Sequence, residues 1–296
     1  MAGRYAPSPT GELHIGNLRT ALVAWLLAKS TGRECRLRFE DLDRERVDAA
    51  GNLAASQAQD LASLGLIFDG PALYQHTRLA AYEQAARKLE GRLYECFCTR
   101  KEIAEAASAP HGSYRPYPGT CRNLTEEQKR EKRKTRPAAW RARAEGVSFT
   151  VHDRWAGDFT GQVDDFVVRR GDGTWAYNFA SVVDDMYQGV DQVCRGEDLL
   201  DSAPRQAWLT ELLGGKTPEY AHVPLVTNCA GERLSKRDGA VSMGDLRALG
   251  MSDHDVLNLL AESLGLPQNE GVEALIERFD PLKKPSGYMY QRMSTM

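Results

Sequence analysis

The sequence predicts an α/β fold with a parallel sheet, and three observations carry that expectation. Short strand-like runs alternate with longer segments of helical period through the first 90 residues. The same alternation is expected to return near Phe166-Val167-Val168 and Ser181-Val182-Val183. Between them the texture changes to cysteines, prolines and a dense charged run, which reads as an insertion into the sheet.

Residues 3–6 read as the first strand. Leu18 to Lys29 has the spacing of an amphipathic helix, and Arg36-Leu37-Arg38-Phe39 reads as a second strand. Leu53 to Leu64 and residues 79–92 follow as helices, the latter ending at Gly91. The expected division is therefore a core in two halves, 1–90 and 166–245, an inserted subdomain at 91–165, and a short helical region at 246–296. Asp253 to Leu264 and Val272 to Arg278 are its helices, and residues 283–296 carry no readable pattern and are expected to trail as a flexible tail.

A chain of 296 residues allows one large domain or two ordinary ones, and 42% hydrophobic residues can build a real core. No apolar run approaches the roughly 20 residues that cross a bilayer. The N-terminus lacks a basic-then-apolar leader pattern, so a cytoplasmic location is expected, with no membrane partner. A net charge of −3 argues against indiscriminate binding to nucleic acid but leaves room for a local basic face. The densest basic stretch runs from Lys129 to Arg143; the glutamates within it favour a solvated helix over a phosphate-binding one.

Two segments lack an easy structural excuse. Pro7-Ser8-Pro9-Thr10-Gly11 leads to His14-Ile15-Gly16-Asn17 at the start of a helix. Glycines there let a ligand approach the backbone, and the helix N-terminus favours an anion. His14 can donate to a phosphate oxygen as charge builds. Far downstream, Arg233-Leu234-Ser235-Lys236-Arg237 sets a lysine between arginines in a polar loop. Together they suit a site that grips a nucleoside triphosphate from both ends, with magnesium alongside.

Ala6-Pro7-Ser8-Pro9-Thr10-Gly11 with His14-Ile15-Gly16-Asn17 resembles the signature of the glutamyl-tRNA synthetases, a class I family. Arg233 to Arg237 is similar to their mobile lysine loop, and Arg38 to Asp43, Asp69-Gly70-Pro71 and Arg195 to Leu200 agree in order. Asn17 departs from the second histidine of many class I enzymes, which puts more phosphate contact on His14 and the backbone. The resemblance implies a Rossmann-like class I catalytic core. His14, Gly16 and Lys236 are then the catalytic candidates; His14, Gly16, Asn17, Arg233, Ser235 and Lys236 would bind ATP. Arg4, Ala6 and Ser8 would line a glutamate pocket, Glu40 would hold the α-amino group, and Tyr177 and Arg195 would complete it. Arg195 can grip a carboxylate through two N–H groups, its alternative being a surface ion pair with Glu197 or Asp198.

Cys96, Cys98 and Cys121 offer three thiolates, and a closed structural zinc site needs four ligands. By spacing alone His111 is the better fourth ligand, whereas the family pattern implies Tyr117. Cys35, Cys194 and Cys229 are isolated and read as core or incidental residues.

Only 59 residues follow Arg237, too few for a large helical anticodon-binding region. The short zinc-bearing form resembles the glutamyl-queuosine tRNA(Asp) synthetases. That resemblance implies activation of L-glutamate with ATP without tRNA, then transfer to queuosine in the anticodon loop of tRNA(Asp). It also implies one structural zinc ion, an anticodon stem-loop as partner, and a monomer. The alternative is a minimal glutamyl-tRNA synthetase charging the 3′ end of tRNA(Glu).

Overall fold

The computed structural model describes residues 1–99, 101–103, 117–228, 231, 234 and 241–290. Its main sheet has seven strands in the order β3-β2-β1-β9-β10-β6-β7. These are β1 (Ala2–Tyr5), β2 (Glu34–Phe39), β3 (Leu73–Tyr74), β6 (Val147–Asp153), β7 (Gly157–Val163), β9 (Val190–Gly196) and β10 (Glu219–Val223). All pair in parallel except β6 with β7, which form an antiparallel hairpin at one edge. Neighbour β1 runs to β2 on one side and to the distant β9 on the other, so the chain reverses its direction of travel across the sheet at β1.

Helix α1 (Ile15–Ser30) follows β1 and is apolar nearly all round, with Leu18, Leu22, Trp25, Leu26 and Leu27 buried. The sequence reading made it amphipathic from Leu18 to Lys29. Its full burial has a physical cause: one side rests on β1, β2 and β9, and the other is covered by α9 (Asp253–Ser263) and α10 (Val272–Arg278). A helix enclosed by a sheet and by other helices has no polar face to show. Gly3 permits the closest approach, because a Cβ there would lie 2.8 Å from the Ala28 Cβ.

The expected insertion divides differently from the sequence reading. Strands β4 (Leu93–Cys96), β5 (Ala139–Ala142) and β8 (Val167–Arg169) form a separate three-stranded antiparallel sheet, preceded by α4 (Leu79–Arg87) and including the exposed helix α5 (Glu126–Arg133) in the β4–β5 connection. So Val167 and Val168, assigned to the returning core, pair with the small sheet. Residues 147–163, assigned to the insertion, join the main sheet as β6 and β7. The cause is burial: Val151 packs with Val190, Val193 and Tyr220 of the main sheet and with Ala203 and Ala207 of α7 (Ala203–Leu212). Ser181-Val182-Val183 lies within helix α6 (Tyr177–Tyr187).

Further differences lie in the C-terminal stretch. Residues up to 290 are not a loose tail: β12 (Tyr288–Met289) pairs in parallel with β11 (Val226–Thr227), and Tyr290 is buried. Arg19 of α1 is fully buried and fastens this region. Its Nε donates to Ser263 Oγ at 3.1 Å, its Nη1 to the Pro224 carbonyl at 3.0 Å, and its Nη2 to the carbonyl of Ser286. Arg19→Met keeps much of the volume but strands these acceptors, and is expected to cost about 3 kcal/mol in urea unfolding. A loss under about 1 kcal/mol would count against a structural role.

Candidate active site

A cavity of about 830 Å³ opens over the C-terminal ends of β1 and β9. That is where open α/β sheets place ligands, beside the strand at which the order reverses. Arg4, Ala6, Ser8, Glu40, Tyr177 and Arg195 all line it, as do His14, Gly16 and Asn17. Segments scattered over nearly 200 positions of sequence are thus brought to one space.

Helix α1 begins one turn earlier than its apolar period indicated, because His14 caps it. The Gly16 N–H donates to His14 Nδ1 at 3.1 Å, and the His14 N–H donates to Asn17 Oδ1 at 3.3 Å. This is a reciprocal capping box built from histidine and asparagine. A neutral ring whose Nδ1 accepts carries its proton on Nε2. Gly16 also makes room for the ring, since a Cβ there would lie 3.0 Å from His14 Cε1. The loop before it is held by Gln57, a buried side chain whose Nε2 donates to the carbonyls of Ser8 at 3.2 Å and Gly11 at 2.7 Å.

The polar floor of the cavity is a buried ion network. Arg4 donates through Nε to Asp185 Oδ1 at 3.3 Å, and Arg38 through Nη1 to the same oxygen at 2.6 Å. Arg38 Nη2 reaches Glu40 Oε1 at 3.2 Å, and Ser181 Oγ donates to that oxygen at 2.7 Å. Burial pushes the Asp185 carboxyl up, but Arg38 and Arg4 outweigh it and hold it below the usual range. Glu40 therefore presents a fixed carboxylate that suits an ammonium group. One turn of α6 also carries Asp184, which accepts from Gln75, Arg78 and Tyr82.

Arg195 is buried, and its partners are not the surface pair considered from sequence. Nε donates to His222 Nε2 at 3.1 Å, Nη1 to Gln206 Oε1 at 2.6 Å, and Nη2 to the Leu199 carbonyl at 3.0 Å and Ser202 Oγ at 3.1 Å. Four N–H groups are committed to the protein, so a ligand carboxylate here meets one N–H and not the two-pronged grip. Tyr177, 38% exposed, stands at the cavity rim.

Arg233, Ser235 and Lys236 lie outside the described residues, as do His111 and Cys229. Leu234 is described: it is buried, lines the cavity and donates from its backbone to the Val226 carbonyl at 3.0 Å. Leu234 thus ties its own position in the chain to the cavity wall.

A second cluster sits in the small sheet. The Sγ atoms of Cys96, Cys98 and Cys121 lie within 4.8 Å of one another and could hold a metal ion. The Tyr117 hydroxyl lies 3.4 Å from Cys96 Sγ and 3.8 Å from Cys98 Sγ. Cys35 and Cys194 are buried core residues, as expected. Helix α5 is a solvated face: Lys129 pairs with Glu126 at 2.7 Å and Lys134 with Glu131 at 2.6 Å, while Arg133 pairs with Glu95.

Sequence reasoning missed Gln57, Asp185, His222 and Asp153. The pair Asp184-Asp185 closing an apolar helical run carried a usable signal, because two carboxylates there need buried cations. Asp185→Asn leaves Arg4 and Arg38 short of a counter-charge, and is expected to lower stability by about 3–5 kcal/mol in a denaturant titration. A variant as stable as the parent would show that the network is not under electrostatic tension.

Known proteins share this architecture. The family model described as tRNA synthetases class I (E and Q), catalytic domain, matches residues 1–285. A glutamyl-Q tRNA(Asp) synthetase of Nocardia farcinica is 54% identical over 287 residues, covering 96% of this chain and 91% of that protein. Another, of Symbiobacterium thermophilum, is 43% identical over 307 aligned positions, covering 96% and 94%. The crystal structure of a glutamate-tRNA synthetase from Elizabethkingia anophelis superposes with a TM-score of 0.82 at 26% identity, covering 99% of this chain and 68% of that one. The chain belongs to the class I tRNA synthetases of the E and Q type, and within them to the family of the glutamyl-Q tRNA(Asp) synthetases.

Proposed function

We propose that this enzyme activates L-glutamate with ATP and transfers it to queuosine in the anticodon loop of tRNA(Asp). The observation that carries the first half is one cavity joining a carboxylate, two arginines and a capped helix N-terminus. The second half rests on likeness over nearly the whole chain to proteins of that name.

In this reading Glu40 takes the ammonium group of glutamate, and Arg4 and Arg195 take its carboxylates. Ala6, Ser8 and Tyr177 shape the pocket wall. ATP lies against the N-terminus of α1, where Gly16 and Asn17 leave the backbone open and His14 donates from Nε2 to a phosphate oxygen. The α-carboxylate of glutamate attacks the α-phosphorus, the bond to the bridging oxygen breaks, and pyrophosphate leaves. Lys236, with Arg233 and Ser235, fits the role of following the charge onto the leaving group, and magnesium neutralises the triphosphate when bound. A nucleophile of the acceptor nucleoside then attacks the acyl carbon and releases AMP.

Zinc fits the cysteine cluster. Tetrahedral coordination with bonds of about 2.3 Å sets sulfur atoms roughly 3.8 Å apart; Cys98 and Cys121 Sγ lie 3.5 Å apart and all three sulfurs within 4.8 Å. Tyr117 supplies the fourth donor. The Cys121 N–H donates to its oxygen at 2.8 Å, and the Arg141 guanidinium lies 3.7 Å from its ring centre. The amide favours negative charge on that oxygen, while burial and the Cys96 thiol oppose it and push the phenol well up, so a metal ion at the thiols would have to supply the rest. We read the small sheet with this cluster as the zinc-bearing subdomain and the β6–β7 hairpin as part of the catalytic core. No helix among the described residues is long and apolar enough to cross a membrane; the protein is read as a cytoplasmic monomer.

Two measurements test the reading. Labelled glutamate, ATP and total tRNA should give product on tRNA(Asp) only when the tRNA contains queuosine, and the label should survive removal of the 3′-terminal adenosine. Label on tRNA(Glu) that vanishes with the 3′ end would make the protein a charging enzyme instead. Cys98→Ala is expected to drop bound zinc from about one per chain to near zero and to loosen β4 and β5 before the main sheet in hydrogen exchange. Unchanged metal content would remove the zinc assignment.

A further inference from the structure

Behind Arg195 a line of side chains crosses three neighbouring strands. Arg195 of β9 and His222 of β10 are register partners, and Asp153 closes β6 beside Tyr220. Asp153 Oδ1 accepts the backbone N–H groups of Trp155 at 3.0 Å and Ala156 at 2.8 Å. Its Oδ2 lies 2.6 Å from His222 Nδ1, and His222 Nε2 accepts from Arg195 Nε at 3.1 Å. Asp153 and His222 are both buried, and the Tyr220 ring stacks on the imidazole with centroids 6.0 Å apart.

This arrangement permits one protonation pattern. Asp153 is held as an acceptor by two backbone donors on its other oxygen. The shared proton therefore sits on His222 Nδ1, and Nε2 keeps the lone pair that Arg195 needs. Burial and the neighbouring guanidinium agree with a neutral ring: burial pushes His222 down, and Arg195 and Arg4 add to this against the pull of Asp153. Gln206 and the Leu199–Ser202 turn hold the other edges of the guanidinium. One Nη1 hydrogen is left to face the cavity.

We infer that Asp153 and His222 are positioning residues that set the tautomer supporting Arg195, and through it the affinity for the amino-acid carboxylate. The inference rests on reading Arg195 as a carboxylate-binding residue. It also gives the β6–β7 hairpin a task within the active site.

Asp153→Asn is the diagnostic change because it preserves shape. The amide oxygen stays on the Trp155 and Ala156 N–H groups, so the amide NH₂ faces His222 Nδ1. The ring must then carry its proton on Nε2, against the Arg195 N–H, as when an orienting aspartate is replaced beside a catalytic histidine. In glutamate-dependent pyrophosphate exchange with the full chain, Asp153→Asn is expected to raise the glutamate KM about tenfold or more. The ATP KM and kcat should stay within about threefold. His222→Gln presents Oε1 to Arg195 at the reach of the ring Nε2, and should stay within about threefold of the parent in glutamate KM. Arg195→Lys serves as the control. If it raises the glutamate KM and Asp153→Asn leaves it within about twofold, the inference is overturned and the reading of Arg195 stands. If Arg195→Lys leaves the glutamate KM unmoved, both are overturned. Equal losses for glutamate and ATP with a lowered melting temperature would reduce Asp153 to a structural role and also overturn the inference.

Discussion

Two buried guanidinium groups converge on one partly buried carboxylate beneath the cavity, and the site depends on that balance. Asp185 holds Arg4 on one side and Arg38 on the other, and Arg38 passes the charge on to Glu40. Such a network adds little net stability, because taking the ions out of water is costly. Its return is orientation. Both protein bonds to Glu40 fall on Oε1, which fixes the plane of the carboxylate before any ligand arrives. The network also explains why α6 packs as it does: Ser181 and Asp184 are buried and Asp185 partly so, because the cations they meet come from β1, β2 and the segment after β3.

The alternation of strands and helices was legible where each element decides its own burial. Val272 to Arg278 appears as read, and Ala54 to Ser63 differs by one residue at each end. Legibility failed where a third element decides. Nothing within Val147 to Val163 tells a hairpin of an insertion from an edge of the main sheet; the apolar face of α7 makes that choice. Site residues followed the same division. Arg4, Glu40 and Arg195 stood out through motifs, whereas Gln57, Asp153, Asp185 and His222 act through partners between 27 and 181 positions away. No local pattern encodes such a pairing.

His14 shows how a single residue serves two scales. As a cap it satisfies amide groups that the first turn of α1 leaves without partners. The same bond sets which ring nitrogen carries the proton, so the helix cap also leaves the imidazole as a donor at Nε2. Asn17, which looked like a lost histidine, completes the cap by taking the His14 N–H. An asparagine at that place is a structural partner of the histidine and not merely its substitute.

The clasp between Arg19 and the region around Ser286 bears on how the chain is made. These residues are 267 positions apart, and α1 is covered by helices that lie beyond residue 252. During synthesis this apolar helix leaves the ribosome early, while its cover is among the last segments to appear. Translation proceeds at about 5–20 residues per second, so α1 must wait on the order of ten seconds or more with one apolar side unprotected. The nascent chain is thus exposed to aggregation and to chaperone capture from the emergence of α1 until the region beyond residue 252 has been made.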